Sequence, residues 1–378
     1  MSNLIVSRSP HLHGGDCIKR NTYGVVFALL PALLVSFYNN GINAFVVCLS
    51  SVVACMLFEW AIAKYMFRRD FTLGDGSAVI TGLLLGMNLP CNLPLWMVVV
   101  GSLVAIGIGK MAFGGLGCNP FNPALVGKCA LLVGFPVQMM SWRVAAQPMD
   151  NMCATSALAL ILGLGFMLWK HIITWHIPVS IILSAFVFAA ILHVANPMYA
   201  DPLTMLLSGG MLLGAIFMAT DYVTSPMTRR GKIVYGVAIG MLSVAINTCR
   251  TNGEGVLFAI LIMNAFTPLI NKYCKPERYG QEGNSLPVVA ICVVLGGATI
   301  AILRAFSLVE GVNYVLTIVI GLLLAAVAFV GLRGQLALNS DPRQMRGAGI
   351  MIVTIGLLML VLLGLCGVDN GLTTLFTI

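Results

Sequence analysis

An all-α, polytopic membrane fold is what the sequence predicts. Of its 378 residues 59% are hydrophobic and 9% charged, the mean hydropathy is +0.97, and the apolar residues gather into runs of membrane-crossing length. No water-soluble fold hides so much apolar surface, so lipid is the solvent. In lipid each backbone N–H and C=O must be satisfied inside the protein, and long apolar runs of helix formers do this as helices rather than barrel strands.

A hydrocarbon layer of roughly 30 Å takes about 20 helical residues. Seven runs qualify as ordinary spans, near 21–38, 41–63, 93–113, 158–172, 175–195, 232–249 and 254–272. Three more, near 77–90, 122–136 and 203–219, are broken by Gly, Asn and Pro and are expected as discontinuous or half-length crossings. Beyond a charged connector from Lys272 to Gln281, cleaner spans near 286–306, 314–332 and 348–367 form a C-terminal transmembrane extension. Lys19 and Arg20 precede the first run, which has no small-residue cleavage site and is therefore a retained span.

Gly82-Leu83-Leu84-Leu85-Gly86 is echoed by Gly210-Met211-Leu212-Leu213-Gly214, each in the third crossing of a block of five. Five is odd, so the blocks are expected as inverted repeats, 1–157 and 158–275, followed by the extension at 286–378. A chance match of small-residue packing motifs gives the same pattern.

Cytoplasmic loops carry the Lys and Arg excess. Arg8, Lys19, Arg20, Lys64, Arg68, Arg69, Lys110, Lys170, Arg229, Arg230, Lys232, Lys272, Lys275, Arg278, Arg333, Arg343 and Arg346, which are 17 of the 21 basic residues, fall on one face. The N-terminus is thus expected inside. The net charge of +8 is explained by this topology and calls for no nucleic-acid partner.

Polar segments stand beside the broken crossings: Gly74-Asp75-Gly76-Ser77, Gly114 through Pro123, and Asp221 through Pro226. The topology puts all three near the cytoplasmic face. Helix ends leave unpaired amides and carbonyls there, and the side chains of Asn119 and Asn122 both donate and accept, as a polar heteroaromatic ring requires. The same motifs also suit simple termination and capping of short helices.

Ser9-Pro10-His11, Gly74 to Gly82, Gly114 to Gly127 and Asp221 to Thr228 together resemble the D subunits of Rnf-type ion-translocating ferredoxin:NAD oxidoreductases and, more distantly, the B subunits of sodium-translocating NADH:quinone reductases. The resemblance runs from about Ser9 to Lys275 and leaves the last hundred residues out. It implies an inner-membrane flavoprotein subunit of a redox-driven translocase, carrying one covalent FMN and one noncovalent riboflavin. It also implies A, B, C, E and G subunits as partners and a flavin transferase for maturation.

In that family the FMN phosphate is esterified to a Thr in a segment resembling Asp-x-x-Ser/Thr-Gly-Ala-Thr. The matching stretch is Asp150-Asn151-Met152-Cys153-Ala154-Thr155, with Cys153 for Gly, Met152 for the hydroxyl residue and Asp one position closer. The resemblance therefore assigns FMN to Thr155, in the outside loop at the start of the sixth crossing, where a phosphate would meet free helical N–H groups. Taken alone, Thr155 reads as an ordinary helix N-cap, the commonest role of Thr at such a position. For riboflavin the resemblance points to Asn119 and Asn122, which places the two flavins on opposite sides.

Glu59, Lys128, Asp221 and Glu254 are ionisable groups in or beside apolar runs, and intramembrane charges point to function by default. Glu59, Asp221 and Glu254 lie near the ends of their runs, where snorkelling suffices. The 11 cysteines are scattered without Cys-x-x-Cys spacing, and His171 and His176 suit the headgroup region. No glycine-rich dinucleotide fingerprint follows a strand, so nicotinamide binding is expected on another subunit. No catalytic acid, base or nucleophile is expected. A small-solute transporter or channel would use the same inverted repeats and broken helices without flavin, and a scaffold subunit would bind neither.

Overall fold

The computed structural model describes residues 17–67, 73–139, 157–195, 201–207, 210–249 and 255–274. Every regular element among them is helical. Ser9-Pro10-His11, Thr155, Glu254 and the three spans of the extension lie outside the described residues.

The first helix, α1 (Ile18–Ala61), is two arms joined at Gly41, whose φ of 71° and ψ of −161° no α-helix accommodates. A positive φ costs glycine little and other residues much. Both ends of α1 reach the same place, since Thr22 and Tyr23 lie against Gly76 while Glu59 is joined through Lys110 to Ser77. The chain therefore doubles back at Gly41. Each arm is roughly 30 Å long, the thickness of the hydrocarbon layer, and the arms are the expected runs 21–38 and 41–63.

A π-helical turn (Ile62–Met66) ends the second arm. Then come α2 (Ser77–Met87), α3 (Leu95–Gly107), α4 (Pro123–Gly134) and the four-residue α5 (Pro136–Met139). At 11 and 12 residues, α2 and α4 reach only about half of the hydrocarbon layer. The chain between α2 and α3 must consequently turn at depth, which lipid tolerates only where protein surrounds the backbone. Leu89 and Leu93 are buried there, and buried Asn88 donates to the Leu84 carbonyl at 2.7 Å.

The second half contains α6 (Ala157–Trp169), α7 (His176–Ala195), the short α8 (Pro202–Leu207), α9 (Met211–Leu213) with its π-helical continuation Gly214–Met218, α10 (Arg229–Cys249) and α11 (Gly255–Tyr273). Residues 211–219 are buried throughout. The two halves touch where Asn88, just past α2, faces the Met218 sulfur at 3.7 Å.

Small residues set the spacing, because lipid supplies no hydrophobic drive between helices and association rests on close packing. A methyl at Gly82 would sit 2.6 Å from the Val52 Cα, and one at Gly86 2.9 Å from the Cys48 Cα. At that contact Ser51 donates to the Gly82 carbonyl at 2.9 Å. A methyl at Gly127 of α4 would meet the Gly101 carbonyl of α3 at 2.7 Å, and one at Gly163 of α6 the Ala28 carbonyl of α1 at 2.5 Å; Gly236 and Gly240 of α10 face Ser180 and Ser184 of α7. The two matching glycine motifs hold different stations. Gly82 and Gly86 lie inside α2, whereas Gly210 caps α9 at φ 68° and its counterpart in that role is Gly76 at φ 75°.

The outward faces remain apolar: Leu34, Leu57, Leu158, Leu162, Leu183 and Val194 are all exposed, as lipid contact requires. Lys64 lies over Trp60 at 5.0 Å and Lys170 over Trp169 at 4.6 Å, the amphipathic belt of a membrane–water interface. Cys48 packs on Gly86 and Cys55 joins Ala63, Ile106 and Met111 in a small apolar cluster, so these thiols serve as compact apolar side chains.

Gly82→Val forces α2 off α1 and is expected to cost about 1–3 kcal/mol, read as a lower unfolding temperature of the detergent-solubilised protein. Gly165→Ala, where a methyl meets open space, leaves that temperature unchanged or slightly higher.

Candidate functional site

The polar segments expected at the inner face meet around one cavity of about 470 Å³. Ser77 begins α2. Asp75 Oδ1 accepts the Ser77 backbone N–H at 2.9 Å and its hydroxyl at 2.6 Å, a local cap for the helix. Between them Gly76 takes the left-handed conformation that lets the carboxylate turn back.

Lys110 follows α3 in a turn, and Gly109 beside it has no room for a side chain, since a methyl would lie 2.5 Å from the Ala105 carbonyl and 3.0 Å from Pro123 Cα. That contact ties the Lys110 turn to the start of α4. Lys110 is 2% exposed; its ammonium donates to Glu59 at 2.7 Å and to the Ser77 hydroxyl at 2.6 Å. A continuous chain of charge and hydrogen bonds therefore runs from buried Glu59 through Lys110 and Ser77 to half-buried Asp75. The position of Glu59 near the end of its run predicts snorkelling; instead the structure buries it, 2% exposed, as the counter-ion of Lys110.

The segment from Gly114 to Pro123 descends to the cavity through left-handed Gly114, Gly115 and Gly117. Asn122 caps α4: its oxygen accepts the Ala124 N–H at 3.1 Å, with Pro123 as the first helical residue. Its amide donates to the Met218 carbonyl at 3.1 Å, so it also closes the π-helical turn of the opposite half. Behind it Asn264, oriented so that its oxygen accepts the Asn122 N–H at 3.3 Å, donates to Tyr235 at 2.6 Å. Asn119 donates to the Phe121 carbonyl at 3.0 Å and lies beside the Asp221 carboxylate. Each Asn thus has a structural job and still lines the cavity; a primary amide has further donor and acceptor capacity beyond these bonds.

Asp221 and Tyr222 complete the wall after the π-helical turn. Thr224 donates to Asp221 at 3.3 Å, Thr267 of α11 donates to the Thr224 carbonyl at 2.8 Å, and the Tyr222 hydroxyl donates to the Ile172 carbonyl. Ile80, Leu84, Met167, Ile173 and Phe217 give the cavity apolar faces, and the first turn of α1, with Asn21 and Thr22, borders it.

The volume falls within the roughly 300–1,000 Å³ of small-molecule sites. Apolar walls that also carry amide, hydroxyl, ammonium and carboxylate groups suit a flat ring whose edge carries both acceptors and donors. Of the residues singled out in the sequence, Asn119, Asn122 and Asp221 come together here; Lys128 is buried in α4 but is not among the lining residues. Thr155 lies outside the described residues, two positions before α6 begins in sequence. His171 lies in the turn between α6 and α7, and His176 begins α7, stacked on Trp175 at 4.3 Å. Among the described residues no group of three or more His, Cys, Asp or Glu is placed to hold a metal ion.

Lys110 is the site residue that charge patterning misses, because it counts with the loop charges. Its neighbours carry the signal: Gly109 and Met111-Ala112-Phe113 flank it, whereas other basic residues come in clusters such as Arg68-Arg69 and Arg229-Arg230.

Residues 5–153 and 143–280 match the model of the NQR2, RnfD, RnfE family. The D subunit of the sodium-translocating ferredoxin:NAD+ oxidoreductase complex of Acetobacterium woodii is 37% identical over 311 residues, covering 74% of this chain and 96% of that protein. The D subunit of the proton-translocating ferredoxin:NAD+ oxidoreductase complex of Clostridium ljungdahlii is 33% identical over 317 residues, covering 73% and 96%. The D subunit of an ion-translocating oxidoreductase complex from Cellvibrio japonicus is 32% identical over 340 residues, covering 74% and 96%.

Removing one partner of a buried ion pair strands the other charge, at a cost of about 3–5 kcal/mol. Glu59→Gln and Lys110→Met are each expected to lower the yield and unfolding temperature of the purified protein. The double variant, which buries no charge at either position, recovers most of that loss in the same assay.

Proposed function

The chain belongs to the NQR2, RnfD, RnfE family, and from that premise we propose that it is the flavin-carrying membrane subunit of an Rnf-type ferredoxin:NAD+ oxidoreductase. In this reading it works with A, B, C, E and G subunits in the inner membrane, its N-terminus cytoplasmic, as one part of a redox-driven ion translocase. The observation that carries the proposal is the meeting of Ser77, Asn119, Asn122, Pro123 and Asp221–Val223, from two halves of a multi-pass helical protein, around one ring-sized cavity.

Riboflavin is assigned to that cavity, with Asn119 and Asn122 at its polar edge and Ile80, Leu84 and Phe217 against its faces. FMN is assigned to Thr155 as a phosphodiester installed by a flavin transferase. Bound flavin supplies one- and two-electron chemistry, while the protein supplies position, hydrogen bonding and exclusion of water. The apolar faces and polar edge of the cavity accord with a flat redox ring held in place for electron transfer.

Two measurements on the complex purified from its own cells test the assignment. The denatured chain is expected to fluoresce in a gel, and Thr155→Ala to extinguish that signal. Acid extraction is expected to release about one riboflavin per chain, and Asn122→Leu, which removes the cap of α4 and the contact to Met218, to reduce that yield severalfold. Fluorescence that survives Thr155→Ala moves the attachment elsewhere. A colourless wild-type chain overturns the flavoprotein reading and favours passage of a small polar solute.

A further inference from the structure

An ammonium has three N–H donors. Two of Lys110's go to Glu59 and Ser77, and the third meets no protein acceptor among the described residues although the side chain is 2% exposed and lines the cavity. A charge this fully buried is expensive unless its remaining hydrogen-bonding capacity is used. The pair is also asymmetric: Lys110 borders the cavity, whereas Glu59 is not among its lining residues. Lys110 is thus the member of the pair that reaches the cavity wall, and its counter-ion does not.

We propose that Lys110 donates its third N–H to a carbonyl oxygen of the ring bound in the cavity, and that this contact sets the ring's reduction potential. The inference rests on the assignment of a flavin to the cavity. Glu59 holds the ammonium charged and in place, Ser77 fixes its direction, and Asp75 orients Ser77. Reduction adds electron density to the ring carbonyls, so a charge-assisted hydrogen bond to them is stronger in the reduced form than in the oxidised form. Lys110 thereby raises the potential of the noncovalent flavin. The electron comes from a reduced carrier of the complex and leaves to an oxidised one, and Lys110 keeps its protons throughout. It acts here as a ligand-contacting residue, with Glu59, Ser77 and Asp75 as positioning residues.

The test is a redox titration, with dithionite and mediators, of the flavins in the purified complex, comparing wild type with Lys110→Arg and with the double variant Glu59→Gln/Lys110→Gln, which leaves no stranded charge. The double variant is expected to lose about a tenfold preference for the reduced ring, which for a one-electron couple lowers the riboflavin potential by about 59 mV. The FMN potential stays in place, and Lys110→Arg stays near wild type. Loss of riboflavin from the double variant with retention by Lys110→Arg, at equal unfolding temperatures, also supports the contact. A double variant that keeps riboflavin at an unchanged potential overturns the inference while leaving the flavin assignment standing. Riboflavin lost equally from both variants together with a fallen unfolding temperature assigns Lys110 a structural role only and overturns it as well. A wild-type complex that releases no riboflavin overturns the cavity assignment itself.

Discussion

Within a hydrocarbon layer no backbone amide, carbonyl or charge can be left without a partner, and this fold answers that constraint at the interruptions of its helices. Where α2 stops halfway, Asn88 takes the Leu84 carbonyl; where the π-helical turn stops, Asn122 takes the Met218 carbonyl; where α4 starts, the same Asn122 accepts the Ala124 N–H. The broken helices are tolerable because side chains, some from the opposite half, finish their hydrogen bonding. The start of α4 and the end of the π-helical turn, so completed, border the cavity through Asn122, Pro123 and Phe217, so this part of the site follows from how the breaks are repaired.

Close approach makes those repairs reachable. Gly82 and Gly86 let α2 ride on the second arm of α1, Gly101 and Gly127 do the same for α3 and α4, and Gly109 presses the Lys110 turn onto Pro123. Larger residues would push these helices apart, and the 2.7 Å Glu59–Lys110 contact would open. A buried ion pair contributes little net stability. Its presence beside a cavity is better accounted for by what the cation can do to an occupant.

Most of the architecture is legible from residue pattern. Lipid imposes a length on each span, so the expected runs correspond closely to α1, α3, α6, α7, α10 and α11, and the Gly, Asn and Pro interruptions mark α2, α4 and the α8–α9 segment. The polar motifs beside those interruptions also identify the walls of the cavity. Two things are not legible. The motif match aligns Gly82 with Gly210, whereas the left-handed caps are Gly76 and Gly210, because spacing between glycines carries no information about which of them bears a positive φ. Lys110 and Glu59 read as inner-face charges, since hydropathy places residues along the membrane normal and says nothing about which ones face each other across two helices. Thr155 and the C-terminal extension rest on sequence alone, lying outside the described residues.

A density map of the assembled complex, at a resolution that separates side chains, tests the central claim most directly. The account predicts planar three-ring density between Ile80 and Phe217, with its polar edge toward Asn119 and Asn122 and one ring oxygen within hydrogen-bonding distance of the Lys110 ammonium. A cavity holding only water or an acyl chain, with riboflavin found elsewhere in the complex, would contradict it.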